Sequence, residues 1–106
     1  MRKAIALLTM GLITVGSTVW ACSIVVEQRN RSFLQKEISI KIGDKVIFVN
    51  SDDYGHNVYS ETDGSSFDIG LQEPGERLSV VFDTPGTVEV KCRIHPRMQL
   101  TVEVVE

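Results

Sequence analysis

Short runs in which apolar and polar residues alternate, broken by Gly, Pro and Asp at intervals of about ten residues, constrain this chain most. An alternation of period two lays apolar side chains on one face of an extended strand and polar ones on the other, which a helix cannot do. Ile38, Ile40 and Ile42 alternate with Ser39 and Lys41. Gly43-Asp44 follows as a turn, and Val46-Ile47-Phe48-Val49 is apolar enough for a central strand that stops at Asn50-Ser51-Asp52-Asp53. Leu78, Val80 and Phe82 form one arm of a second predicted hairpin. Thr84-Pro85-Gly86 is its turn, and Val88 and Val90, alternating with Glu89 and Lys91, are its other arm. Ile24-Val25-Val26 and Leu100 to Val105 read as further strands, and Val58-Tyr59 and Phe67-Asp68-Ile69 as short ones. With no helical period of useful length, these strands predict an all-β, antiparallel sandwich or barrel.

The first 21 residues stand apart from that pattern. Arg2 and Lys3 form a positive start, the run 4–19 is mostly apolar, and Val19-Trp20-Ala21 places short side chains where signal peptidase reads them. The run falls short of the ~20 predominantly apolar residues needed to span a bilayer. We therefore expect an export signal over residues 1–21, a periplasmic location and no transmembrane span in the mature form. Val19-Trp20-Ala21-Cys22 also resembles a lipobox, which makes Cys22 a candidate site of lipidation.

A chain of 106 residues holds one ordinary domain, here 22–106. Removing Arg2 and Lys3 with the signal leaves nine Lys plus Arg against fourteen Asp plus Glu, a net charge of −5. Such an acidic domain, without a basic cluster, lacks the electrostatic footprint of nucleic-acid binding. A domain below roughly 90 residues also buries a modest share of its surface and often gains support from a disulfide or a metal. Only Cys22 and Cys92 are present, and Cys22 sits at the predicted cleavage junction. A metal is then the better candidate. We expect a monomer.

Beyond the signal there are two His, His56 and His95, one Met, Met98, and one Cys away from the junction, Cys92. Three of them lie in Cys92-Arg93-Ile94-His95-Pro96-Arg97-Met98, a Cys-x2-His-x2-Met segment between the last two predicted strands. In a sandwich, the loop after the central strand can bring His56 beside that segment. Each residue alone has a bland explanation: a satisfied His, a small buried Cys, a Met filling the core. Together they are the donor set of mononuclear blue copper, two imidazoles and a thiolate with a weak thioether. Zinc is disfavoured, because a thioether is a poor zinc ligand. An enzyme is disfavoured, because no His or Cys remains for an open position or a second centre.

The stretches ISIKIGDKVIFVN (38–50), His56-Asn57-Val58, Phe82-Asp83-Thr84-Pro85-Gly86 and Val88 to Met98 resemble the cupredoxins, the blue copper family that includes plastocyanin and amicyanin. The short spacing from His95 to Met98 is most similar to amicyanin. Membership implies a Greek-key antiparallel β-sandwich and single-electron transfer by one type 1 copper ion. It implies His56, Cys92 and His95 as strong ligands, Met98 as the weak axial one, and Asn57 as a brace of the ligand loops through hydrogen bonds. It also makes His95 the ligand whose edge reaches the surface. Two positions depart from the family: Val88 and Val90 stand where an aromatic residue is common, and Gln99-Leu100 where a Gly commonly follows the Met.

Arg93, Pro96 and Arg97 flank His95 in an otherwise acidic domain, so a small positive rim is expected to orient an acidic partner such as a cytochrome or an oxidoreductase. Asp52, Asp53, Glu61, Asp63 and Asp68 read as solvated loop charge. The residues leave one rival use open, copper storage, delivery or buffering, although the chain has none of the Met-rich or His-rich tracts that would favour it. The metal-free alternative is an adhesin-like sandwich.

Overall fold

The computed structural model describes residues 22–106; the predicted signal, 1–21, lies outside them. Eight strands follow in order: β1 (Ser23–Gln28), β2 (Glu37–Lys41), β3 (Lys45–Asn50), β4 (His56–Ser60), β5 (Phe67–Gln72), β6 (Arg77–Val81), β7 (Gly86–Lys91) and β8 (Gln99–Val105). Every run predicted as a strand is one. They form a three-stranded sheet, β1-β3-β6, and a five-stranded sheet, β2-β8-β7-β4-β5.

The core lies where the apolar faces of the two sheets meet. Val26, Val46 and Phe48 enter it from the small sheet, and Ile40, Val58, Val88, Val90, Leu100, Val102 and Val104 from the large one, all buried. Phe33 closes one side against Phe48, with ring centroids 6.1 Å apart and edge to face. Among the described residues, no helix is long and apolar enough to cross a membrane.

The sandwich departs from the expected one in two ways. It is mixed rather than purely antiparallel, because β1 pairs parallel to β3 and β2 parallel to β8. Neither predicted hairpin is a hairpin: β2 and β3 lie in different sheets, and so do β6 and β7. The turns at 42–44 and 82–85 are arches that carry the chain across the core. They lean on each other, with Gly43 N–H donating to the Phe82 carbonyl at 2.8 Å and Phe82 N–H to the Asp44 carbonyl at 3.1 Å. Alternation tells which face of a strand is buried. It does not tell whether the next strand pairs beside it or faces it across the core.

The strands that do pair locally position the site. β7 and β8 are antiparallel neighbours, from Gly86↔Val104 to Lys91↔Gln99, so the segment between them emerges at one pole of the sandwich. β4 lies against β7 through Tyr59↔Lys91, which puts His56, the first residue of β4, at the same pole.

Candidate metal centre

Two connections meet at this pole. Asn50, 1% exposed, organises the first: its Nδ2 donates to the carbonyls of Tyr54 and Gln72, each at 2.9 Å, and its Oδ1 accepts from Asp52 N–H at 2.9 Å. A buried carboxamide with its hydrogen bonds made holds a loop in one shape. That shape delivers the chain into β4 at His56. The second connection begins at Cys92, just past β7, and folds back where Met98 N–H donates to the His95 carbonyl at 2.9 Å. The turn returns Met98 to the interior, fully buried, while Ile94, Pro96 and Arg97 stay exposed.

His56 Nδ1 and His95 Nδ1 are 3.1 Å apart, and Cys92 Sγ is 3.9 Å from His95 Nδ1. One donor atom from each of the three residues falls within 4.8 Å of the others. An ion bonded at about 2.0 Å to nitrogen and about 2.3 Å to sulfur sets its donors about 3 to 4 Å apart, so the residues present fit a metal. His56 and Cys92 are buried at 0% and 2% exposure. His95 is partly exposed, the one member of the trio that reaches the surface.

Two of the donors, His56 and Cys92, are held from behind. His56 Nε2 lies 2.6 Å from Asp52 Oδ2, and a carboxylate can only accept there, so Nε2 carries the proton and Nδ1 offers its lone pair. Asn57 N–H donates to Cys92 Sγ at 3.4 Å. The Asn57 side chain ties the two connections to β5: Nδ2 donates to Asp68 Oδ1 at 2.7 Å and to the Gly70 carbonyl at 3.0 Å, while Oδ1 accepts from Arg93 N–H at 3.2 Å. The pairing of β4 with β5 slips between Asn57 and Tyr59. Gly70 takes a φ of 75° there, which a residue with a Cβ adopts at a cost.

Burial first, then repulsion from His56 and Arg31, pushes His95 below its ordinary value, against the pull of Asp52. An imidazole that stays neutral keeps its lone pair for a metal. For Asp52, burial works to raise the carboxyl, but hydrogen bonds from His56 and from the N–H groups of Asn30 and Arg31 outweigh it and hold it below its ordinary value.

Three of the charges sit differently from the expectation. Asp52 is not solvated loop charge: its side chain is 7% exposed and braces His56. Asp68 is half exposed but committed, receiving Asn57, Gly70 N–H at 2.8 Å and Arg93 Nε at 3.1 Å. Arg93 does not stand free beside Arg97. Its guanidinium lies 3.8 Å from the centroid of the Tyr59 ring and pairs with Asp68, so its charge is spent on the flank of the sheet. Tyr54 had no predicted role, yet its ring meets His56 at 5.5 Å and His95 at 5.7 Å, both edge to face. The only sequence signal for it is an aromatic residue in the polar loop two positions before His56.

Comparison with known proteins agrees with this geometry. Residues 20–105 match the family described as copper binding proteins, plastocyanin/azurin family. The chain is 38% identical over 72 residues to a chloroplastic plastocyanin of Physcomitrium patens, a match covering 59% of this chain and 43% of that protein, less than half its length. It is 30% identical over 106 residues to amicyanin-alpha of Methylorubrum extorquens, covering 96% of this chain and 88% of that protein. Among solved structures, a reduced amicyanin variant superposes with a TM-score of 0.72 at 27% identity, over 81% of this chain and 85% of that one. The Cu-containing nitrite reductase of Thermus scotoductus superposes with a TM-score of 0.75 at 28% identity, over 88% of this chain but 25% of that one. The chain therefore belongs to the plastocyanin/azurin family of copper-binding proteins, with the cupredoxin sandwich as its fold.

Proposed function

We propose that this protein carries single electrons between redox partners, with one copper ion held by His56, Cys92 and His95 and, more weakly, by Met98. The observation that carries the reading is the trio of two imidazole nitrogens and one sulfur, 3.1 and 3.9 Å apart, two members buried and one at the surface. When bound there, copper supplies one-electron chemistry, and mixed thiolate, imidazole and thioether donors suit both of its oxidation states.

The residues of the chain do the rest. Cys92 binds as a thiolate, steadied by Asn57 N–H. Asp52 holds the His56 ring in one tautomer and one orientation. His56 opens β4 and the Cys92 segment joins β7 to β8, strands of one hydrogen-bonded sheet, so the donors stay in place as the charge changes and little has to reorganise. His95 is the point where electrons enter and leave. Residues 1–21 act as an export signal that sends the domain to the periplasm, and Cys22, exposed beside β1, is the candidate for a lipid anchor.

The test is titration of the protein with Cu(II), with Cys92 kept reduced, followed by visible and electron paramagnetic resonance spectroscopy. Intense red-light absorption with a narrow copper hyperfine splitting is expected. Colourless one-to-one binding of Cu(I), with no stable Cu(II) form, would replace electron transfer with copper storage or delivery.

A further inference from the structure

Two depressions flank His95 and share Arg31 and Ile94. On one side, a groove is lined by Arg31, Lys36, Ile94, His95, Pro96 and Arg97, and no acidic residue borders it. On the other, a depression is lined by Arg31, Tyr54, Leu71, Ile94 and His95, with a single acid, Glu73. Leu71 and Ile94 are 59% and 50% exposed, so an apolar patch meets the cationic groove at His95.

The groove is an anomaly in this molecule. Residues 22–106 carry nine basic against fourteen acidic side chains, yet three of the nine border this one groove. Arg29 and Arg93 are bound to carboxylates. Among the described residues, Arg31, Lys36 and Arg97 make no ion pair. Arg31 is also placed by the fold. Asn30 and Arg31 form a tight turn with φ of 56° and 57°, their N–H groups donate to the Asp52 carboxylate at 2.7 and 3.2 Å, and the guanidinium stands 5.5 Å from the centroid of Tyr54. Two successive non-glycine residues in the left-handed region cost energy that these bonds offset.

We propose that this face docks an acidic redox protein, one that presents Asp and Glu side chains around its own electron-exchange centre, with Arg31, Lys36 and Arg97 engaging the carboxylates and Leu71 and Ile94 making the apolar contact. The assignment rests on the electron-carrier reading and replaces Arg93 by Arg31 and Lys36 as the groups that, with Arg97, read an acidic partner. The molecule as a whole is anionic, so a cationic partner is drawn to the other faces and away from His95. An anionic partner is repelled by the net charge but attracted by this groove, and is therefore oriented with its carboxylates toward the partly exposed member of the trio, His95.

The test uses the copper-loaded protein and two small reductants of opposite charge, hexacyanoferrate(II) and hexaammineruthenium(II), with electron-transfer rates followed by stopped flow from about 0.01 to 0.15 M ionic strength, over which the Debye length falls from about 30 to about 8 Å. The anionic reagent is expected to slow as salt rises, despite the anionic net charge. Lys36→Glu and Arg97→Glu are expected to slow it by roughly tenfold together at the lowest salt, whereas Lys41→Glu, an equal charge change at the far end of β2, does little. In parallel, a deca-glutamate peptide titrated into the isotope-labelled protein should shift the amide resonances of Arg31, Lys36, Ile94 and Arg97. Rates that rise with salt for the anionic reagent, with all three variants alike and no amide shifts, overturn the docking assignment and leave the carrier reading intact. Exchange with neither reagent overturns the carrier reading, and the assignment falls with it.

Discussion

Asp52 makes the most informative perturbation, because one carboxylate holds both His56 and the turn that carries Arg31. In Asp52→Ala three hydrogen bonds to a charged acceptor are lost, from His56 Nε2 at 2.6 Å, Asn30 N–H at 2.7 Å and Arg31 N–H at 3.2 Å. At about 1.5–3 kcal/mol for each bond to a charged group, the gross loss is about 5–9 kcal/mol. Relief from desolvating a carboxylate whose side chain is 7% exposed returns several kcal/mol, leaving a net destabilisation of about 2–4 kcal/mol. Asp52→Asn keeps one acceptor oxygen and is expected to cost about half as much. The assay is urea unfolding of the metal-free protein, where such a loss lowers the midpoint at unchanged slope. The pH dependence follows from the depressed carboxyl of the folded state. Its stabilisation is complete above the unfolded value of about 3.9 and is lost as pH falls through the lower folded value, so wild type and variant should converge in acid. An alanine variant within about 0.5 kcal/mol of wild type, or a gap that widens below about pH 4, would refute the bracing role.

Four further outcomes are expected. Cys92→Ser abolishes the red-light absorption of the copper form, and a variant that stays equally coloured removes Cys92 from the centre. Met98→Leu retains copper with a raised reduction potential, because loss of a weak donor disfavours Cu(II); voltammetry giving an unchanged potential would show that the thioether is not a ligand. Asn57→Ala removes three side-chain hydrogen bonds between β5 and the Cys92 segment and lowers stability by about 1–3 kcal/mol, read by the same urea assay. Phe48→Ala opens a cavity at a position of 0% exposure and costs about 3–5 kcal/mol, which a thermal melt would show as a large fall in Tm.

Much of the fold is legible in the chain because alternation is local. Ser39 and Lys41 point outward and Ile40 inward whatever the partner strand, so all eight strands and most of the core follow from the run of residues. The error at Gly43-Asp44 and at Thr84-Pro85-Gly86 has one cause. A short turn between alternating runs serves a hairpin and an arch equally well, and the choice depends on strands remote in sequence, such as β8, which takes the place beside β2. The candidate donors were equally legible, because soft and imidazole side chains are so few here that their spacing is itself a signal. Of the residues that support them, the family resemblance points to Asn57, whereas Asp52 and Asp68 have the composition of ordinary polar loops.

What the sequence determined by itself is the character of the parts: extended strands with one apolar face, two imidazoles, a thiol and a thioether for a soft metal, and an acidic exterior. These are properties of each side chain and its immediate neighbours, so they survive without knowledge of the partners. Only the tertiary structure decided which strands share a sheet, that Asp52 lies under His56, that Arg93 is drawn to Tyr59 and Asp68, and that Arg31 and Lys36 come to stand beside His95. A charge acts according to what lies within a few ångströms of it. In this sandwich those neighbours arrive from strands and turns far apart along the chain, brought together by burial of the apolar faces between the two sheets.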